Sequence, residues 1–200
     1  MTRTPDATDL SRVAVFAALI AALGLPGSFP VFGGVPITAQ TLGVMLAGAV
    51  LGPWFGALSV TVLLALVAAG LPLLAGGRGG FGVFLGPTAG YALGWILGAV
   101  VIGFIVHAGG RRPVVWRTVL AMVAGGVVAI YAVGIPVQSL VTRLPLAETA
   151  LTSLVFVPGD LLKAAVATVV VTALVRAYPR GFRREWRETA PERVAVGTAA

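Results

Sequence analysis

The sequence contains no cysteine and a single histidine, His107. The first absence excludes disulfides and thiolate metal sites. The second excludes a metal centre built from several imidazoles. Charge is also scarce: Asp, Glu, Lys and Arg together make up 10% of the chain, where soluble domains carry roughly a quarter. No Gly-Lys-Ser/Thr follows any glycine-rich stretch, so the phosphate-cradling loop of an ATPase is missing. Neither a Ser–His nor a Cys–His pair is available within the apolar segments, which leaves nucleophilic catalysis without its parts. No repeat of 20–50 residues and no sustained heptad pattern appears. No cofactor or metal is expected.

What is present is apolar. Of 200 residues, 58% are hydrophobic and the mean hydropathy is +1.00. This is the composition of one polytopic, all-α domain of the cell membrane. Six spans are expected, at about Val13–Leu25, residues 38–51, Trp54–Leu71, Pro87–Val106, Val115–Ile135 and Pro158–Val175. Residues 1–9 are polar and read as a disordered cytoplasmic N-terminus, 10–177 as the membrane domain, and 178–200 as a basic cytoplasmic tail. Residues 136–156 read as a loop with a short interfacial helix. The second span, with about fourteen apolar residues, reaches roughly 21 Å, short for a hydrocarbon core about 30 Å thick.

The net charge is +7, which in a soluble protein would suggest nucleic acid. Here the basic residues flank apolar spans, so no nucleic-acid partner is expected. Eleven arginines fall on the termini and the 107–117 loop, against two, Arg78 and Arg143, on the opposite side. The positive-inside rule then puts both termini in the cytoplasm. The glycine-rich segment 74–94, the break at 28–36 and the start of the last span fall outside. The basic tail reads as a topology signal with a solvated end rather than a lipid-binding element.

Two formal charges are expected inside the membrane, Asp160 and Lys163, both in VPGDLLKAA (157–165). Each costs about 2.5–3.5 kcal/mol at hydrocarbon depth on insertion scales. Three residues apart on a helix they share a face, so they can lower each other's cost and turn toward one polar guest. The competing reading is a structural ion pair locking helices together. Gln40, at the start of the short second span, either faces a cavity or makes a helix-start or helix–helix hydrogen bond. Segment 74–94 contains Arg78, Gly79, Gly80, Phe81, Phe84 and Tyr91 and is too apolar for a solvated linker; it reads as a loop folded back over a pocket. Ala14, Ala18 and Ala22 fall on one face of the first helix, where small side chains permit close helix approach.

VPITAQTLG (35–43), LGP (51–53) with GALSV (56–60), LPLLAGGRGGFGVFLGPTAGY (71–91) and VPGDLLKAA (157–165) resemble the BioY family, the biotin-specific substrate-binding subunits of energy-coupling factor (ECF) transporters. The resemblance covers about residues 10–177. Ala89 stands where the family is expected to have glycine. The resemblance implies a six-helix fold, an outward pocket, and biotin as the transported ligand. It also implies partners: a transmembrane coupling subunit and two ATPase subunits, with the Ala14/Ala18/Ala22 face docking on the coupling subunit. The residues themselves fit such a ligand. Asp160 can accept from a ureido N–H and Lys163 can donate to the ureido carbonyl; Phe81, Phe84, Tyr91 or Trp95 can wall the bicycle. The ligand carboxylate can meet Arg78, the amides near Gly79 and Gly80, or Lys163. Other readings are a subunit for another vitamin such as thiamine or riboflavin, a structural assembly subunit, and an intramembrane enzyme, for which no nucleophile–base pair exists.

Overall fold

A computed structural model describes residues 6–25, 35, 37–108 and 114–177 of the chain. These are α-helical apart from the 69–88 segment, which includes a 3₁₀ helix over Phe81–Leu85, and shorter turns. Helix α1 spans Ala7–Ala22. It starts earlier than the apolar run because Asp6 caps it: the Asp6 carboxylate accepts from the Asp9 amide at 2.8 Å and the Asp9 carboxylate reaches back to the Asp6 amide at 3.4 Å. The reciprocal box satisfies donors that a helix start otherwise leaves open. Residues 7–9, expected outside the helical domain, are therefore its first turn. Val13, Ala17 and Ile20 form the buried face of α1.

Helix α2, Gln40–Ala68, is nominally 29 residues long but is broken at Gly52, whose φ of 80° and ψ of −179° belong to glycine alone. Unbroken, it would be a rod of about 43 Å. Instead the Gln40 side-chain amide lies 3.0 Å from the Leu73 carbonyl, and a Cβ placed on Gly56 would lie 2.8 Å from the Gly48 Cα. The chain therefore reverses at Gly52–Pro53 and the arms 40–51 and 53–68 run back along each other. This is the turn expected from the Gly-Pro dipeptide.

Helix α3, Ala89–His107, packs between α2 and the helices that follow it. Its bounds lie close to the span expected at Pro87–Val106. Gly90, Gly94 and Gly98 form a seam on which the facing backbone rests; a Cβ at each would sit 2.8 Å from the carbonyls of Val133, Ile130 and Gly125 respectively. Small residues at this spacing are how membrane helices approach closely.

Helix α4 (Val115–Val123), a π-helical segment (Ala124–Ala129) and α5 (Ile130–Thr142) follow as one continuous helical stretch. The expected end at Ile135 is not observed. Pro136 sits inside α5; it removes one backbone donor, a loss that membrane helices absorb through neighbouring groups. The helix ends at Arg143, which takes a left-handed conformation with φ of 58°. Short α6 (Leu146–Ser153), the expected helix of that connection, leads through a 3₁₀ turn (Leu154–Phe156) into α7 (Val157–Ala177).

Among the described residues, four stretches are long and apolar enough to cross a membrane: Gln40–Ala68, Ala89–His107, Val115–Thr142 and Leu146–Ala177. Six were expected. The count differs because α1 has only 16 helical residues and because the two arms of α2 join without a gap. Residues 28–34, the GGRRP exit at 109–113 and the tail from 178 lie outside the described residues.

Overpacking a helix contact of this kind costs about 1–3 kcal/mol. Gly56→Val should push the two arms of α2 apart and lower the thermal midpoint of the purified protein in detergent by several degrees. Gly82→Ala, at a position with nothing within 4 Å, should leave it unchanged. Equal midpoints for both variants would contradict the close reversal.

Candidate functional site

The site is built on the first turns of α7. Asp160 lies in the first turn, where the helix dipole favours a carboxylate. Lys163 follows one turn on, and its Nζ is 2.8 Å from Asp160 Oδ1. Their side chains are 8% and 16% exposed. Two neighbours complete the pair: the Tyr131 hydroxyl on α5 donates to Asp160 Oδ2 at 2.6 Å, and Lys163 Nζ donates to Thr41 Oγ1 on α2 at 3.0 Å. The expected shared face is thus observed, and the ion pair also ties three helices.

Both charges line a cavity of about 70 Å³. A single water needs about 10–15 Å³, so the space suits a small organic molecule. Tyr91, Trp95, Ile130 and Phe156 supply apolar wall. Tyr91 is locked: its hydroxyl donates to Gln138 Oε1 at 2.9 Å and lies 3.0 Å from Ser153 Oγ. Its ring meets those of Tyr131 and Phe156 edge-on, with centroids 6.0 and 6.3 Å apart.

Leu74, Arg78 and Thr88 bring the glycine-rich loop to the cavity wall. Leu74 and Arg78 pair as an antiparallel bridge, closed by Gly76 and Gly77 with φ of 77° and 69°. Arg78 donates from Nε to the Ala75 carbonyl at 3.2 Å and from Nη1 to Thr88 Oγ1 at 3.5 Å. Burial holds its guanidinium pKa below the usual value, since desolvation disfavours the charged form.

Of the residues singled out in the sequence, Asp160, Lys163, Gln40, Arg78 and Tyr91 meet at this cavity. Gly79, Gly80 and Phe84 are not among the residues that line it. A Cβ on Gly79 would collide with the Leu71 backbone. Gly80 has φ of 85°, and its amide donates to the Val67 carbonyl at 2.8 Å. Phe84 packs against the core cluster that contains Trp95 and Val67. Gln40 is 1% exposed, and its side chain is committed to backbone. Nε2 donates to the carbonyls of Ile20 and Leu73 at 3.2 and 3.0 Å, and Oε1 accepts from the Ala75 amide at 3.0 Å. It ties α1, α2 and the loop together while lining the cavity, so both positions read from the sequence are met. Ala14, Ala18 and Ala22 are exposed on α1, opposite its buried face.

Sequence reasoning missed Tyr131, Thr41, Ile130 and Phe156 as wall residues. Tyr131 had a signal: a hydroxylated aromatic inside an otherwise apolar span. Among the described residues no three His, Cys, Asp or Glu side chains gather as a metal site needs.

Residues 1–180 match the profile of the BioY family. The chain belongs to that family. Relatives include the biotin transporter BioY of Rhodobacter capsulatus, 46% identical over 180 residues covering 86% of this chain and 95% of the relative. The probable biotin transporter BioY of Bacillus subtilis is 45% identical over 170 residues, covering 84% and 91%. A crystal structure of the S-component for biotin from an ECF-type ABC transporter superposes with a TM-score of 0.83 at 34% identity, covering 92% of this chain and all of the other. As a BioY protein the chain is a multi-pass protein of the cell membrane and a transport subunit rather than an enzyme.

Gln40→Ala should leave the Ala75 amide and two carbonyls without partners, at about 1–3 kcal/mol for a buried polar group. The thermal midpoint of the ligand-free protein should fall. An unchanged midpoint would return Gln40 to the role of a ligand contact.

Proposed function

We propose that this protein captures biotin in the cavity beside Asp160 and Lys163 for uptake into the cell, with energy supplied by a separate ATPase-containing coupling module. The observation that carries the reading is the Asp160–Lys163 pair on the cavity wall. A ureido ring presents N–H donors to the carboxylate and a carbonyl to the ammonium. Charge-assisted hydrogen bonds of this kind are roughly twice as strong as neutral ones. Tyr91, Trp95 and Phe156 offer the apolar wall for the bicycle. The loop offers Arg78 to the ligand carboxylate. Arg78 is favoured over the Gly80 amide because that amide is already bonded to Val67, and over Lys163 because two of its three donors serve Asp160 and Thr41 and the third is given to the ureido carbonyl.

The topology proposed is six spans with both termini cytoplasmic. The two arms of α2 count as two crossings, and α1, α3, α4–α5 and α6–α7 supply the other four. The exposed Ala14/Ala18/Ala22 face is the proposed docking surface for the transmembrane coupling subunit, with two ATPase subunits beyond it. Its support is exposure of the stripe together with the likeness to an S-component.

Asp160→Asn should raise the biotin Kd at least tenfold by titration calorimetry, which corresponds to about 1.4 kcal/mol. Thiamine and riboflavin should not compete. Unaltered affinity in the variant, or displacement of biotin by either vitamin, would remove the reading. Replacing Ala14, Ala18 and Ala22 together by leucine should leave biotin affinity unchanged and abolish co-purification with the coupling module. An intact complex would move the docking face elsewhere.

A further inference from the structure

Gln40 reaches the cavity wall, yet its bonds lead away from it. An amide side chain has two N–H donors and one carbonyl. Both donors go to the backbone of other elements, Ile20 on α1 and Leu73 on the loop, at 3.2 and 3.0 Å, and the carbonyl accepts from the Ala75 amide at 3.0 Å. The Ile20 carbonyl belongs to the last turn of α1, where helix carbonyls lack intrahelical partners. The amides of Leu23, Gly24 and Leu25 take the carbonyls of Leu19, Ala21 and Ala22; Gln40 takes that of Ile20.

On the loop side the same bonds lead back to the site. Leu73 and Ala75 flank Leu74, which is buried in the cavity wall. Leu74 and Arg78 exchange both of their backbone hydrogen bonds, at 3.0 and 3.2 Å, and Arg78 is the cation offered to the ligand carboxylate. A series of direct bonds therefore runs from the last turn of α1 through Gln40 and the 73–75 segment to Arg78. There is no slack at its α1 end. A Cβ on Gly24 would lie 3.0 Å from Gln40 Nε2, and one on Gly43 would lie 2.9 Å from Ile20 Cγ1. Close-packed contacts of this kind transmit displacement rather than absorb it. Ala22, on the face proposed to dock the coupling subunit, lies in the same turn.

We propose that Gln40 is a positioning residue that links the biotin site to the docking helix: ligand held by Arg78 fixes the loop, and through Gln40 the loop fixes the last turn of α1. The inference rests on the biotin reading above and adds a route by which an occupied cavity is sensed on α1. Linkage makes the effect reciprocal. A coupling subunit that displaces this turn changes biotin affinity by the factor by which biotin changes the subunit's own binding.

The test is hydrogen–deuterium exchange, read by mass spectrometry, on the full-length protein in detergent, with and without biotin and with no coupling subunit present. In wild-type protein, biotin should slow exchange about fivefold or more in peptides covering both 71–80 and 20–25. In Gln40→Met, which keeps the side chain's length and removes its bonds, the response of 71–80 should persist and that of 20–25 should disappear. A merely structural role would speed exchange with and without ligand and leave both responses in place. That outcome overturns the proposal, as does a wild-type 20–25 peptide that ignores biotin, or loss of both responses in a variant that still binds biotin. Should Gln40→Met not fold or not bind biotin, Gly24→Ala takes its place. Its added methyl presses on Gln40 from outside the cavity and should weaken biotin binding about fivefold or more by titration calorimetry, whereas unchanged affinity overturns the proposal. Absence of biotin binding to wild-type protein would instead remove the underlying reading.

Discussion

The structure depends on keeping a carboxylate and an ammonium together away from water. A buried pair is weak evidence for stability, because desolvation can exceed the mutual attraction. Here the remaining bonding capacity is partly met by side chains on two other helices, Tyr131 and Thr41. The pair is therefore partnered without a ligand, and its geometry is fixed in advance. A guest meeting groups already oriented loses less ordering entropy on binding. The ion pair that the sequence could read either as a brace or as a binding device braces three helices and also lines the cavity, so the bracing and the proposed binding draw on the same bonds.

The rest of the fold serves that arrangement. The glycine seam on α3 brings the α5 backbone close enough for Tyr91 and Tyr131 to touch edge-on. The reversal at Gly52 returns the chain to the level of Gln40, so that one side-chain amide can fasten α1 and the glycine-rich loop at once. The loop is then held with Leu74 and Arg78 at the cavity. Loops carry little stability of their own, and three bonds to a single buried amide are a compact way to give this one a defined position.

Much of this was legible in the sequence, for identifiable reasons. Charges in an apolar chain stand out against their cost, so Asp160 and Lys163 announced themselves. Gly52-Pro53 marked a turn because no other pair breaks a helix so completely. What was hidden follows other physics. Asp6 and Asp9 extend α1 by a capping box that hydropathy does not see. Pro136 reads as a terminator, yet α5 runs through it, because one lost donor is tolerable inside a packed membrane helix. The π segment has no residue signature beyond Gly125 and Gly126 and could not be anticipated. Gly79 and Gly80 were read as ligand contacts because glycine permits close approach; Gly79 makes that approach to the Leu71 backbone, and the Gly80 amide is bonded to the Val67 carbonyl.

Among the described residues, the charged side chains on the cavity wall are Arg78, Asp160 and Lys163. Asp160 and Lys163 cancel, which leaves Arg78 as the net charge, on the loop side of the cavity. Burial already strains that charge, pulling its pKa down, and its bonds to Ala75 and Thr88 are to neutral oxygens. A neutral guest would leave a half-buried guanidinium uncompensated. A guest with one carboxylate would compensate it through charge-assisted bonds. The proposed ligand, biotin, carries a polar ring at one end and a carboxylate at the other, so the proposal accounts for both the charge pair and Arg78 on this wall.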